Sequence, residues 1–325
     1  MSTQPLLSVE GLGVVIGRGP QATRPVEAVS FTVSDGEALG IVGESGSGKS
    51  LTLRAVLGLL PAGARREGEV RMASRGETTD AHSLPPGMAM IFQEPMTALN
   101  PTMRVGTLVA EPLRRRGLSR REARSGAVKL MREVGIPDAE RRARAWPHEL
   151  SGGLRQRVMI AAALATEPRL LLCDEPTTAL DVCIQDQILS LLRRLMEERG
   201  MSLLFVSHDL AVVGELCDRV AIMYAGRIME VGSTDTVLME PRHPYTDGLR
   251  RSAPSMVDPA ARLTGIEGMP PDPRAFPPGC RFAPRCPFRQ ADCDEIDGSL
   301  AVAGPGHSTA CIHPGSIVRE GAGAP

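Results

Sequence analysis

A long apolar run is the first thing this 325-residue sequence lacks. No segment approaches the ~18 apolar residues of a membrane-crossing helix, so any work at a membrane would need other chains to span it. Charge of one sign is lacking too. The net charge is −1, which argues against a nucleic-acid binder driven by phosphate neutralisation. Residues 1–13 show neither a basic stretch nor an apolar one, so no signal peptide is expected and the compartment is expected to be the cytosol. Lysine is nearly missing. Of 37 basic residues only Lys49 and Lys129 are lysine, so a position that keeps lysine against that background is informative.

What is present begins with glycine. "EALGIVG" reads as a short buried strand, "GESGSGKS" (Gly43–Ser50) follows, and "LTLRAVLGLL" reads as a helix. Strand, glycine loop and helix are the setting of a P-loop, G-x-x-x-x-G-K-[ST]. Across Gly43, Glu44, Ser45, Gly46, Ser47 and Gly48 the backbone N–H groups can curl around phosphate oxygens that a Cβ would obstruct. The helix start, from Lys49 through Ser50 and Leu51, adds its partial positive charge. Lys49 is expected at the β- and γ-phosphates and Ser50 at Mg2+. A compact ammonium suits the inside of such a loop where a planar guanidinium does not.

Short strands are expected before residue 35 and at 68–72 and 88–93, and residues 103–149 turn helical and basic. A solvated face is the plain reading of that charge, and contact with anionic lipid headgroups an alternative. "RLLLCDEP" and "SLLFVSHD" read as buried parallel strands. Between them "DVCIQDQILSLLRRLMEERG" reads as an amphipathic helix ended by Gly200. This alternation predicts an α/β fold with a parallel sheet. Asp174 and Glu175 end the first of these strands, where ligands sit in open α/β sheets. Asp174 suits Mg2+, and Glu175 suits a general base acting on water. "LSGG" (Leu150–Gly153) opens another helix with Ser151 placed as N-cap. Two glycines there invite an anion. One P-loop does not need this second anion site, unless it serves another chain's nucleotide.

These motifs, in this order, resemble the ATPase subunits of ABC transporters over roughly residues 6–250. They are Walker A at Gly43–Ser50, the Q-loop Gln93, the signature "LSGGL", Walker B ending in Asp174 and Glu175, the D-loop Ala179–Asp181 and the switch His208. The resemblance implies a P-loop NTPase with an N-terminal antiparallel β subdomain and an inserted helical subdomain at about 95–150. It also implies a head-to-tail dimer in which Ser151, Gly152 and Gly153 face the partner's ATP. Gln93 would sense the γ-phosphate and Mg2+, and His208 would help orient the water. Two features depart from the family: Leu154 stands where many members have Gln, and only aliphatics stand near Val15 or Ile16, where an aromatic usually stacks on adenine.

"PMTALN", "HPYT" (His243–Thr246) and "PPGCRFAPRCP" further resemble the ATPases of dipeptide and oligopeptide importers. That branch implies an ATPase domain over 1–251 and a cysteine-rich extension over 252–325. It implies a second, homologous ATPase subunit, two transmembrane permease subunits and an extracytoplasmic binding protein. The chain would then sit peripherally on the cytoplasmic face of the inner membrane. Nickel, opine or glutathione cargo is the alternative within transport. A soluble non-transport ABC ATPase would usually show fused ATPase domains or coiled coils, and a small-metabolite kinase would lack "LSGG".

Cys173, Cys183 and Cys217 read as small buried hydrophobes. Cys280, Cys286, Cys293 and Cys311 differ, because their proline-rich surroundings hold little apolar material for a core. Disulfides suit an oxidising compartment. The spacing C-x5-C-x6-C-x17-C has no C-x-x-C knuckle of the common zinc kind. Four thiolates also suit a [4Fe–4S] cluster, which members of the importer family can carry in this region. Zn2+ and free thiols stay open, as do His307 and His313 as substitute ligands. Arg281, Arg285 and Arg289 interleave with the cysteines and could offset a negatively charged cluster.

Overall fold

The computed structural model describes residues 4–73, 87–178, 180–253 and 265–314. Its strands are β1 (Leu7–Ile16), β2 (Thr23–Val33), β3 (Ala38–Val42), β4 (Ala64–Met72), β5 (Met88–Ile91), β6 (Leu170–Asp174), β7 (Ser202–Ser207), β8 (Arg219–Tyr224), β9 (Arg227–Ser233), β10 (Ala301–Gly304) and β11 (His307–Thr309). Its helices are α1 (Lys49–Val56), α2 (Pro95–Ala98), α3 (Val105–Arg115), α4 (Arg120–Glu133), α5 (Ala139–Arg142), α6 (Gly152–Leu164), α7 (Val182–Arg199), α8 (Leu210–Leu216), α9 (Thr234–Met239) and α10 (Pro244–Ser252). The chain forms two units, Met1–Leu84 with Phe205–Pro325, and Pro85–Leu204. Among the described residues no helix is long and apolar enough to cross a membrane.

The first unit holds an antiparallel sheet of order β2-β1-β4 and a second sheet segment of order β10-β11-β9-β8-β3. All five residues of β3 are buried, as a strand covered on both faces requires, and β3 runs parallel to β8. The extension joins the same sheet: β11 pairs antiparallel with β9, Ser308 opposite Val231 and Thr309 opposite Glu230. The helix after the glycine loop is shorter than its apolar run suggests. It stops at Val56. Gly58 turns left-handed at φ 72°, and the Leu59 N–H reaches back to the Arg54 carbonyl at 2.8 Å. This cap ends a helix within a leucine-rich stretch.

In the second unit β5 runs parallel to β6, Met88 opposite Leu170 and Ile91 opposite Cys173. Helix α4 opens on a capping box between Ser119 and Glu122 and buries Ala123, Ala127, Leu130 and Met131, a stripe at helical spacing. Arg120, Arg121 and Arg124 stay exposed. Helix α7 starts at Asp181, whose Oδ1 accepts from the Ile184 N–H at 3.0 Å, and ends at Gly200. Cys173 and Cys217 are buried as expected, but Cys183 is exposed. It sits in the first turn of α7, beside Val182, which is 73% exposed, so that turn has no core side to offer it.

Candidate functional site

The glycine loop leaves β3 and runs into α1. A Cβ on Gly43 would stand 2.0 Å from the Met223 carbonyl oxygen, so any side chain there would push the loop off the sheet. Lys49, 4% exposed, donates through Nζ to the Gly43 carbonyl at 2.8 Å and the Glu44 carbonyl at 3.0 Å. Its ammonium therefore lies inside the curve of the loop. Ser45 and Gly46 are exposed at the loop's crest, and Ser50 and Leu51 are half-buried. Ser47 Oγ is buried without a hydrogen-bond partner among the described residues, which suits a loop built to receive acceptor oxygens. At the expected adenine position Val15 is buried and Ile16 is 37% exposed, so an aliphatic surface stands where the family stacks a ring.

Glu44 in this loop is gripped from outside. Its backbone N–H donates to the Tyr245 hydroxyl at 2.9 Å. Its carboxylate takes both guanidinium arms of Arg285, at 2.7 and 3.1 Å. Sequence reasoning missed this contact, because Glu44 and Arg285 lie 241 residues apart. The only signal was the presence of "HPYT" and "APRCP" as family markers. His208, expected as the switch residue, follows the end of β7 and is exposed.

In the second unit Asp174 closes β6 at 1% exposure. Glu175 follows in the left-handed region at φ 45°, a costly conformation for a residue with a Cβ and one that gathers at functional sites. Its Oε2 accepts from Gln93 Nε2 at 3.4 Å and from the Thr178 hydroxyl at 2.9 Å. The structure thus brings Gln93 and Glu175 together, with Asp174 adjacent. Ser151 occupies the N-cap place of α6 with extended backbone but makes no side-chain capping bond, contrary to expectation. The turn is shaped by Gly153 instead, where a Cβ would meet Ile184 Cγ2 at 2.7 Å. Ser151 and Gly152 are exposed. Of the expected D-loop, Asp181 caps α7 and Ala179 lies outside the described residues.

Cys280, Cys286, Cys293 and Cys311 line one cavity with Phe282, Phe288, Ile296 and His243. Burial pushes the Cys280 thiol up, the Cys286 thiol up to about 11 and the Cys311 thiol up to about 12, and neighbouring cysteines add to each shift. Thiols raised in this way ionise together only beside positive charge. Backbone N–H groups already aim at the sulfurs, from Phe282 and Ala283 at Cys280, from Phe288 at Cys286 and from His313 at Cys311. Four thiolates on one zinc ion stand about 3.8 Å apart, from Zn–S bonds of ~2.3 Å. Here no three of the four sulfurs come within 4.8 Å of one another; among the described residues only Asp292, Cys293 and His313 bring ligand atoms that close. His243 Nε2, buried in the cavity wall, has no hydrogen-bond partner among the described residues, and acceptor atoms within the cavity would satisfy it.

The neighbouring charges are otherwise engaged. His307 binds Glu230 at 2.6 Å and does not line the cavity, whereas His313 does. Arg281 bonds Glu27 and the Ala225 carbonyl, Arg285 bonds Glu44, and Arg289 bonds Asp294 at 2.6 Å. Arg281 and Arg285 answer carboxylates of their own, whereas Arg289, paired with Asp294, is also drawn upward in pKa by the nearby Cys293.

Two family patterns match the chain: ABC transporter over residues 26–178, and Oligopeptide/dipeptide transporter, C-terminal region, over residues 229–293. A provisionally named peptide import ATP-binding protein of Brucella abortus is 46% identical, across 96% of this chain and 98% of that protein. Another, from Brucella suis, is 44% identical across 96% of each. Among solved structures, an ATP-binding cassette in a dimeric post-hydrolysis state bound to ADP and Pi superposes with a TM-score of 0.61 at 28% identity, over 70% of this chain and 98% of that one. The cbiO1 protein of Clostridium perfringens, part of the ABC transporter complex cbiONQ, gives 0.62 at 27% identity, over 73% and 91%.

Proposed function

The chain belongs to the ATP-binding, ATP-hydrolysing subunits of ABC transporters, and we propose that it powers the import of di- or oligopeptides. Residues 1–251 are the ATPase domain in this reading, and residues 252–325 the importer-type extension. The phosphates of ATP would lie in the loop from Gly43 to Ser50, with Lys49 at the β- and γ-phosphates and Leu51 continuing the helix start. Ser50, Gln93 and Asp174 would hold Mg2+, which neutralises phosphate charge when bound. Glu175 would accept a proton from the attacking water, with Gln93 and Thr178 fixing the direction of its carboxylate and His208 orienting the water. Ser151, Gly152 and Gly153 would meet the nucleotide of a second, homologous ATPase subunit, and Asp181 would lie at that interface. Two transmembrane permease subunits and an extracytoplasmic binding protein would complete the importer. The chain would be peripheral, on the cytoplasmic face of the inner membrane.

The left-handed Glu175, its carboxylate held by Gln93 and Thr178 at the end of β6, carries the hydrolytic reading. Glu175→Gln should lower ATP turnover by ~10²–10⁴-fold while keeping ATP bound. Turnover at the wild-type rate would remove Glu175 as the base. Peptide cargo is tested by uptake of a labelled dipeptide in cells whose only copy of this chain carries Glu175→Gln. Uptake should stop, and undiminished uptake would overturn the cargo reading.

The four cysteines would bind a [4Fe–4S] cluster, with Zn2+ as the lesser alternative. Their convergence on one apolar cavity, the N–H groups at three of the sulfurs and a His243 Nε2 with no partner among the described residues favour the cluster. Such a group would fix the fold of a proline-rich segment. Protein purified without oxygen should be brown, with iron and sulfide in near-equal amounts. Stoichiometric zinc in colourless protein would decide for the alternative.

A further inference from the structure

Glu44 puts a carboxylate on a loop shaped for a polyanion. An unpaired negative charge there would repel incoming phosphate. Arg285 answers it with two parallel hydrogen bonds at 2.7 and 3.1 Å, the strong fork-to-carboxylate geometry. The guanidinium is nearly buried, its side chain 5% exposed against 27% for Glu44. It is fixed from behind by the Glu267 carbonyl at 2.9 Å, the Ile266 carbonyl at 3.2 Å and the Tyr224 hydroxyl at 3.3 Å. Tyr224, Tyr245 and Phe282 pack tilted and edge-to-face at centroid distances of 4.5–5.3 Å, and the Tyr245 hydroxyl accepts the Glu44 N–H. One residue thus has its backbone and its charge held by side chains from α10 and the extension.

We propose that Arg285 is a positioning residue for ATP: from the cysteine-rich extension it cancels the charge of Glu44 and fixes the second residue of the phosphate loop. The extension thereby sets nucleotide affinity. This rests on the ATP reading of the loop.

The test uses the full-length chain, with ATP affinity and steady-state kinetics measured on wild type, Arg285→Ala, Arg285→Lys, Glu44→Gln and the Glu44→Gln/Arg285→Ala pair. Arg285→Ala should weaken ATP binding and raise its KM roughly tenfold, the size expected for one charge-assisted contact. Its kcat at saturating ATP should stay within about twofold. Arg285→Lys should recover part of the loss, and the double variant should return most of the way to wild type, because the repelling charge is gone. Unchanged ATP affinity in Arg285→Ala would overturn the proposal. So would a double variant as weak as the single one, which would trace the loss to a disturbed extension. Bound metal and melting temperature are read on the same samples, and if Arg285→Ala does not fold, Arg285→Lys must show the same split between KM and kcat. A wild-type chain that binds no ATP would instead strike at the function proposed above.

Discussion

Eight consecutive residues make the phosphate loop, whereas the cysteine cavity takes its walls from separate stretches around His243, Phe282, Cys293 and Cys311. Both lie in the same unit. The loop works through backbone: Lys49 bonds two loop carbonyls, and Gly43 leaves room for the Met223 carbonyl. The cavity works through side chains on a segment with little hydrogen-bonded regular structure. A site made of backbone survives most side-chain changes and fails at its glycines. A site assembled from distant side chains fails at any ligand, and its own occupant helps to hold it together.

The sharpest way to separate the two is Gly43→Ala. A methyl 2.0 Å from a carbonyl oxygen cannot be relieved by a rotamer change, and overpacking of this kind costs ~1–3 kcal/mol or more. ATP affinity should fall by about 100-fold or more, while bound metal stays at the wild-type level. Loss of metal together with ATP would mean that the two sites fold as one. Cys286→Ser is the converse. In the cluster reading proposed above, bound iron should drop to background in elemental analysis, and the loop should still bind ATP. Full metal content in that variant would remove Cys286 from the ligand set.

The smallest effect concerns His243, which caps α10 by accepting the Tyr245 N–H at 3.1 Å. Burial lowers its pKa from 6.5 to about 3, so the folded protein keeps it neutral where the unfolded chain takes up a proton. Stability therefore declines as pH falls from about 6.5 toward 3, by at most roughly 1.4 kcal/mol per pH unit from this group. His243→Asn keeps a capping acceptor and removes the titration. Its denaturant midpoint should fall less steeply with pH across that window than that of wild type, and parallel slopes would count against a buried neutral His243.

The difference between the two sites also explains what could be read from the residues alone. The loop, the Asp174–Glu175 strand end and the signature turn are short patterns whose spacing is their mechanism, so they were legible without coordinates. So was the α/β alternation. The early stop of α1 was hidden because Gly58 sits inside a run of leucines whose periodicity continues past it. Cys183 looked like a core residue until its place in the exposed first turn of α7 was known. The fork from Arg285 to Glu44 was invisible for a different reason. Arginine is so abundant in this chain that no single one stands out, and pairing across 241 residues leaves no periodic trace.

The pairing of β11 with β9 bears on how this protein can be shortened. Glu230 in β9 is fully buried, and its carboxylate accepts from the Arg242 N–H at 2.6 Å, from the His243 N–H at 2.9 Å and lies 2.6 Å from His307 Nε2. Ending the chain near residue 250, the obvious cut for a minimal nucleotide-binding fragment, would remove His307 and strip β9 of its neighbour. The fragment would then present a bare sheet edge, an invitation to stack on its own copies. Poor solubility of such a fragment would reflect the missing hairpin, and restoring residues 301–309 would be the remedy to try before changing any surface residue.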